Sequence, residues 1–391
     1  MVRAIQTEPF PRSIDGSLLR LVLVTIPCSR HVVHLRSLPK GVPRTVRSAR
    51  LIFVLSLSSM LAACSGSGST SAPPASRGTS GGTSLGWYDE LTGGSDELDV
   101  ATTVAPISSL ARNIGGNRIR LHGIVPDATN SHTFEPSPSD AKHLAAADLI
   151  IVNGLHLEQP TLDLAEASKK ASTPIKMLGD NTITQDEWLF DFSFPESEGD
   201  PNPHLWMNVT YALRYAELIR DWFSEADAPN KDYYTSNYDK LKARLDELDG
   251  MIRQGVASVP EQNRKLLTYH DSWAYWAREY GFKVIGAVQA SDFSDPSPQE
   301  VARLIDQIKA EKVPAVFGSE VFPSPVLEQI ARESGAKFVD ALRDDEPPGA
   351  ERAPEHTYLG MLKKDMQVMI EALGGDPKIF DALVVTDTYG S

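Results

Sequence analysis

The chain has 391 residues, of which 41% are hydrophobic and 23% charged, a composition typical of a globular protein long enough for two domains. Its net charge is −14, but 29 basic and 50 acidic residues follow position 63, so the main part of the chain carries −21. A surface of this sign repels nucleic-acid phosphates and favours cations, and we therefore expect no nucleic-acid partner.

The first recognisable pattern lies well inside the chain. Three arginines precede the apolar run 51–63, and Cys64 follows that run directly. A basic segment, a short apolar run and small residues at the boundary are typical of a secretory signal peptide, and this run is too short for a bilayer span. We predict a lipoprotein signal peptide at 42–63 and interpret 1–41 as an extension that arises from a misassigned translation start. A second apolar run, 18–27, competes as a signal but lacks a convincing cleavage site.

The residues around Cys64 predict a membrane anchor. Leu61-Ala-Ala-Cys64 resembles the bacterial lipobox, in which the cysteine is lipidated and becomes the new N-terminus. Segment 64–96 opens with Ser, Gly, Thr and Pro residues that cannot bury apolar area, so we predict a flexible tether. The other cysteine, Cys28, precedes the cleavage site, so the mature chain has no intrachain disulfide. The expected location is the outer face of the cell membrane.

Strand and helix patterns alternate from about residue 97, which indicates α/β lobes with largely parallel sheets. We predict a first lobe over 97–229 and a second lobe over 260–391. The predicted strands are 99–105, 119–125, 149–153, 174–178, 265–269, 283–287, 315–318 and 337–340. The predicted helices are 107–114, 139–147, 208–226, 272–280, 298–311, 325–334 and 357–373.

The segment 230–259 differs from both lobes. Its apolar residues, from Tyr234 to Val256, recur at intervals of three and four, as on one face of a single helix. Such a helix is roughly 40 Å long at 1.5 Å per residue, which exceeds one small lobe. We therefore predict an α/β fold in which two parallel-sheet lobes are joined by one long rigid helix.

Four side chains occupy positions where α/β proteins bind ligands. His132 follows a predicted strand, His204 lies in a proline-rich loop before a helix, and His270 and Asp340 each end a predicted strand. Each lobe would supply two of them to a cleft between the lobes. Imidazole suits zinc and other late transition metals, and a carboxylate reduces the charge of the bound cation. Four protein ligands leave no open position for a substrate, which favours carriage of the metal over catalysis.

Spacing alone does not separate such histidines from surface residues, but their local sequences do. These include His132-Thr-Phe-Glu-Pro-Ser-Pro-Ser-Asp140, Pro203-His-Leu-Trp206 and His270-Asp-Ser-Trp-Ala-Tyr-Trp-Ala-Arg-Glu-Tyr-Gly281. They resemble the zinc/manganese solute-binding proteins of ABC transporters (cluster A-I), and the resemblance extends over about 97–375. It implies two lobes and a backbone helix, a monomeric receptor rather than an enzyme, and an ABC permease with its ATPase as partners.

The resemblance also assigns the ligands. The first three fall on His132, His204 and His270, and the acidic one falls best on Asp340, although Asp344 and Asp345 follow closely. Histidine at the third position resembles the zinc type, so Zn²⁺ is the predicted transported ligand, with Mn²⁺ and Fe²⁺ as alternatives. The His-rich loop of many zinc members is absent, because residues 180–202 are acidic and aromatic instead.

Glu320 ends a predicted strand and is a candidate to orient a ligand histidine. His156 and Glu158 are interpreted as structural residues near the cleft. A metallohydrolase is disfavoured because the chain has no His-Glu-x-x-His helix, whereas a surface adhesin stays open as a second role. Since imidazoles bind metals only when neutral, we expect metal affinity to fall below about pH 6.5.

Overall fold

The computed structural model describes residues 87–94, 96–289, 293–319 and 325–389. The predicted extension, the signal peptide, Cys64 and the first part of the tether lie outside the described residues, and so does Glu320. No helix within the described ranges is both long enough and apolar enough to cross a membrane.

Two parallel four-stranded sheets form the centres of the two lobes, and both have the same topology. The strand orders are β2-β1-β3-β4 and β6-β5-β7-β8, and every pairing between neighbours is parallel. The strands of the described residues are β1 Leu98–Thr102, β2 Ile119–Gly123, β3 Leu149–Val152, β4 Ile175–Met177, β5 Lys265–Thr268, β6 Lys283–Ala287, β7 Ala315–Ser319 and β8 Lys337–Leu342. The predicted fold class is confirmed.

The helices begin and end where local sequence favours it. Ser297 and Glu300 form a capping box at the start of α7, and Gly281 ends α6 in the left-handed conformation with φ 74°. The helices of the described residues are α1 Ala105–Gly115, α2 Asp140–Ala146, α3 Gln159–Ser168, α4 Val209–Ala226, α5 Lys231–Ser258, α6 Ala274–Tyr280, α7 Pro298–Glu311, α8 Pro325–Ser334 and α9 Tyr358–Ala372.

The strand order of each sheet determines where a ligand can bind. Strands β1 and β3 are completely buried, as expected for parallel strands that are covered on both faces. In the first sheet β2 and β3 pair with opposite edges of β1, and in the second sheet β6 and β7 pair with opposite edges of β5, so the strand order reverses at β1 and at β5. Proteins with such sheets bind ligands near this reversal, beyond the carboxyl ends of the strands. The loops that follow β2 and β5 begin at these carboxyl ends and therefore lie where a ligand would bind.

Helix α5 joins the lobes as one continuous element. It runs for 28 residues, about 42 Å, and packs against α1 and α4 of the first lobe and against α6 and α9 of the second. Asn237 of α5 donates to the carbonyl of Ile114 at 3.0 Å, which fixes the helix to α1. At its other end Gly255 allows Phe380 to approach closely, since a Cβ atom there would lie 2.8 Å from the ring.

This helix predicts how the lobes respond to a ligand. Because α5 contains no proline and is packed on both lobes, it resists bending, and the lobes should keep their relative orientation when zinc binds. Small-angle scattering of the protein with and without zinc should give the same radius of gyration. A rotation of tens of degrees between the lobes would contradict the prediction.

The two ends of the described chain pack onto the first lobe. Trp87 is buried and Tyr88 pairs with His122 of β2, so these two residues, within the segment predicted as tether, pack on the lobe. At the other end, Thr388 donates its backbone N–H to Asn113 of α1 at 2.7 Å. The final residues of the second half of the chain thus complete the surface of the first lobe.

Candidate metal centre

Three imidazoles meet at the carboxyl edge of the sheets. His132 lies in the loop after β2, His204 immediately precedes the 3₁₀ turn 205–207 that leads into α4, and His270 follows β5. Their Nε2 atoms lie 3.1 Å apart for His132 and His204, 3.2 Å for His132 and His270, and 3.0 Å for His204 and His270. His204 and His270 are buried, whereas His132 is partly exposed. The structure thus brings together the three histidines that the sequence singles out.

The loop before α4 fixes the orientation of His204. Its Nδ1 lies 2.8 Å from Oδ1 of Asn202, an atom that can only accept a hydrogen bond. The amide nitrogen of Asn202 donates to Asp191 at 3.0 Å and to the carbonyl of Asp271 at 2.7 Å, so the amide oxygen has to face the imidazole. Nδ1 of His204 therefore carries the proton, and its Nε2 presents a lone pair to the centre.

Gln289 orients His270 in the same way. Oε1 of Gln289 accepts from Nδ1 of His270 at 2.6 Å, which leaves the Nε2 lone pair of His270 pointing toward His204. Two nitrogen lone pairs thus face each other at 3.0 Å. A proton or a metal cation relieves the repulsion of such an arrangement, and the protonation of the rings decides which of the two binds.

Burial disfavours the proton. It lowers the pKa of His132 and the pKa of His204 well below the ordinary value, and the neighbouring His270 lowers both pKa values further. These imidazoles stay neutral at pH values where a free imidazole is protonated. The decline of metal affinity that the sequence analysis placed near pH 6.5 should therefore begin at lower pH, and the neutral group is suited to a metal cation.

Two adjacent carboxylates approach the imidazoles from the second lobe. Oδ2 of Asp344 lies 3.6 Å from Nε2 of His270, and Oδ2 of Asp345 accepts from the hydroxyl of Ser131, the residue before His132, at 2.7 Å. Burial and the charge of Asp345 raise the pKa of Asp344 well above its ordinary value. Burial also raises the pKa of Asp345, opposed by His270 and by the Ser131 hydrogen bond. A cation at the imidazoles would stabilise both acids in their ionised form.

Asp340, the predicted fourth ligand, is not brought to this group. The side chain is exposed within β8, and Oδ1 lies beside Gly318 of the neighbouring strand β7. The physical reason is an irregular register between β7 and β8, in which Ser319 pairs with Leu342 and the strand continues two residues past Asp340. The chain reaches the edge of the sheet only after Leu342, at Asp344 and Asp345.

Aromatic rings cover the group on several sides. The ring of Phe293 stacks on His132 at a centroid distance of 4.6 Å, and that of Phe194 lies 5.5 Å from His132. Trp206 packs edge-on against His204 at 5.0 Å, and its Nε1 donates to the carbonyl of Asp344 at 2.8 Å. Apolar rings around the imidazoles lower the local dielectric constant and strengthen the electrostatic interaction between a cation and its ligands.

The remaining predicted residues lie around the group. His156 lines a small cavity that reaches His132, whereas Glu158 is buried and accepts the backbone N–H groups of Asn153 and Gly154 at 2.6 Å and 3.1 Å. Burial raises the pKa of Glu158 to about 7. His122, His143 and His356 are absent from the group of three.

Sequence reasoning missed both residues that orient the imidazoles. Gln289 lies two residues past the end of β6, where the edge rule used for the histidines would also have placed it. Asn202 precedes His204 by two residues, and neither position carries a charge that would have drawn attention to it.

Comparison with known proteins agrees with this geometry. The family described as zinc-uptake complex component A, periplasmic, matches residues 100–372. The chain is 28% identical to the iron-binding protein YfeA of Yersinia pestis, over 71% of this chain and 87% of that protein. It is also 28% identical to the manganese-binding lipoprotein MntA of Bacillus subtilis, over 71% and 90% of the two chains.

A solved structure shares the fold. The periplasmic zinc-binding protein TroA from Treponema pallidum superposes with a TM-score of 0.64 at 25% identity, covering 71% of this chain and 99% of that one. A structure with bound cadmium, the periplasmic metal-binding protein of Candidatus Liberibacter asiaticus, gives 0.63 at 24% identity, with 71% of this chain and 100% of that one covered. The chain therefore belongs to the zinc-uptake complex component A family of metal-binding receptors of ABC transporters and is a solute-binding protein rather than an enzyme.

Proposed function

We propose that this protein captures zinc outside the cytoplasm and delivers it to an ABC importer made of a permease and its ATPase. The observation that carries the proposal is the pair of lone-pair nitrogens of His204 and His270 at 3.0 Å, with the third imidazole at 3.1 Å and 3.2 Å from them. Nitrogens that bind one tetrahedral zinc ion at 2.0–2.1 Å lie about 3.3 Å apart, so little movement is needed for binding. Nitrogen ligands also favour zinc over manganese in the Irving–Williams order.

Manganese or iron(II) is the second candidate, and two observations favour it. The relatives YfeA and MntA are named for iron and manganese. The carboxylates of Asp344 and Asp345 provide oxygen atoms beside the imidazoles, and oxygen is the ligand that manganese prefers. The preference for one metal thus depends on whether the imidazole nitrogens or the carboxylate oxygens contribute more to the free energy of metal binding.

The direct test is the metal content of the purified protein, followed by competition. We expect one zinc per chain in protein prepared without added metal, and retention of zinc against an excess of manganese or iron(II). Elemental analysis after dialysis measures both. Stoichiometric manganese with negligible zinc would assign the second candidate, and a protein that binds none of the three metals would contradict both.

We further propose that the fourth ligand comes from the pair Asp344–Asp345. The proximity of Asp344 to His270 supports this, and so does the hydrogen bond that ties Asp345 to the residue before His132. A second contact, from the backbone N–H of Ala128 to Glu346 at 2.9 Å, holds the two loops together across the cleft. Both carboxylates are thereby kept next to the imidazoles.

We also propose that lipid on Cys64 anchors the protein to the membrane, consistent with the naming of MntA as a lipoprotein. Replacing Cys64 by Ser removes the thiol that accepts the lipid, so the protein should appear in the medium or remain unprocessed. Cell fractionation with immunoblotting measures this, and replacing Ser67 by Ala, three residues after Cys64, is the control. Normal processing and membrane retention of the Cys64→Ser protein would contradict the anchor.

A further inference from the structure

A cavity beside His132 carries polar side chains that the metal centre does not use. It has a volume of about 110 Å³, and its lining includes His132 together with the exposed residues His156, Glu198 and Asp200. Nδ1 of His156 lies 3.5 Å from Oδ1 of Asp200, and these side chains are 54% and 60% exposed. The cavity thus connects an imidazole of the centre with a second histidine and two carboxylates at the surface.

The backbone around His156 is held in a conformation that L-residues rarely adopt. Gly154, Leu155 and His156 have φ values of 79°, 51° and 65°, a region in which residues other than glycine are strained. Two acids maintain the turn: exposed Asp180 accepts the N–H of Leu155 at 3.1 Å, and buried Glu158 accepts the N–H of Gly154 at 3.1 Å. The turn buries Leu155 and leaves the imidazole of His156 at the mouth of the cavity.

The burial of the three central imidazoles determines the order in which an ion meets them. His204 and His270 are 0% and 2% exposed, whereas His132 is partly exposed and lines the cavity. An ion that arrives through the cavity therefore reaches His132 first. Before that, it passes one imidazole and two carboxylates, ligand types that bind divalent transition metals, in a set too small and too exposed to retain them.

We propose that His156, Asp200 and Glu198 form a transfer site, which captures a divalent transition metal from solution and passes it to His132. This inference rests on the proposed function, because it requires the three imidazoles to be the destination of the ion. A group that contacts the ion only during its passage lowers the free-energy barrier for binding and the barrier for release by the same amount. The transfer site should therefore control how fast the metal binds and leaves, and not how tightly it is held.

The test is the kinetics of the His156→Gln variant, which removes the imidazole without removing a carboxylate. Full-length protein in detergent is mixed with Zn²⁺ or Mn²⁺ in a stopped-flow instrument, and binding is followed by tryptophan fluorescence, since Trp206 lies 5.0 Å from His204. We expect the association and dissociation rates to fall together by about threefold to tenfold. This is less than the roughly 10- to 1,000-fold by which a whole charged cleft raises association rates. The Kd should stay unchanged.

Two further variants separate this role from general charge effects. Asp200→Asn should also slow both rates, whereas Asp246→Asn, which removes the same charge from an ion pair with Lys242 on α5, should leave them unchanged. Unchanged rates in His156→Gln would overturn the transfer site, and so would a raised Kd with an unchanged association rate. A wild-type protein that binds neither metal would overturn the proposed function as well.

Discussion

Replacing His270 by Ala should lower zinc affinity by more than about a hundredfold, since the loss of groups that merely orient a ligand already costs 10–100-fold. The variant loses one of the three nitrogens of the group and leaves His204 without a partner at 3.0 Å. Competition with a chromogenic chelator measures the change. His143→Ala is the matched control, because this imidazole on α2 lies outside the group of three.

The same measurement tests the acidic ligand. Replacing Asp344 and Asp345 together by Asn keeps their shape and removes both charges, so zinc affinity should fall about as far as in His270→Ala. Asp340→Asn, which changes an exposed carboxylate on β8, should bind zinc like the wild type. Full zinc affinity in His270→Ala, or a loss in Asp340→Asn that equals the loss in the double variant, would contradict the assignment.

Zinc should also stabilise the fold by mass action. The three imidazoles are 66 to 138 residues apart in sequence and separate on unfolding, so zinc held by all three should bind the native state almost exclusively. At a free zinc concentration a thousandfold above Kd, the free energy of unfolding should rise by about 4 kcal/mol. The corresponding increase in Tm is on the order of 5–10 °C for a protein of this size.

Differential scanning calorimetry in the presence of a zinc buffer measures this increase. The His270→Ala protein serves as the control, and its Tm should be nearly independent of zinc. If the Tm of both proteins rose equally, zinc would be stabilising the fold from a different site, and the imidazole group would not be responsible.

Much of the fold could be predicted because local sequence and tertiary structure agree. The prediction for α7 coincides with the observed helix, since a serine cap and a proline mark its start. All seven apolar positions proposed for α5, from Tyr234 to Val256, are buried. The spacing of apolar residues predicts the buried face of α5 correctly because the helix packs against apolar partners along its whole length.

The position of the acidic residues beside the imidazoles could not be predicted because it depends on pairing between strands. Asp340 interrupts the apolar run of β8, and the sequence alone does not show that the strand continues through Ala341 to Leu342. The irregular register with β7 decides this, and it moves the edge of the sheet from Asp340 to Asp344. The histidines were easier to place, since His132, His204 and His270 lie within segments that resemble a known family.

The packing of residues 386–389 on α1 has a consequence for the order of folding. Asn113 and Thr388 are separated by 275 residues, and Arg112 pairs with Asp387 across the same interval at 3.0 Å. A chain that leaves the ribosome N-terminus first has α1 long before it has these partners. The first lobe can form its sheet early but receives these contacts only after residues 386–389 have been synthesised. Closing so long a loop is slow, so completion of this surface should be among the late steps of folding.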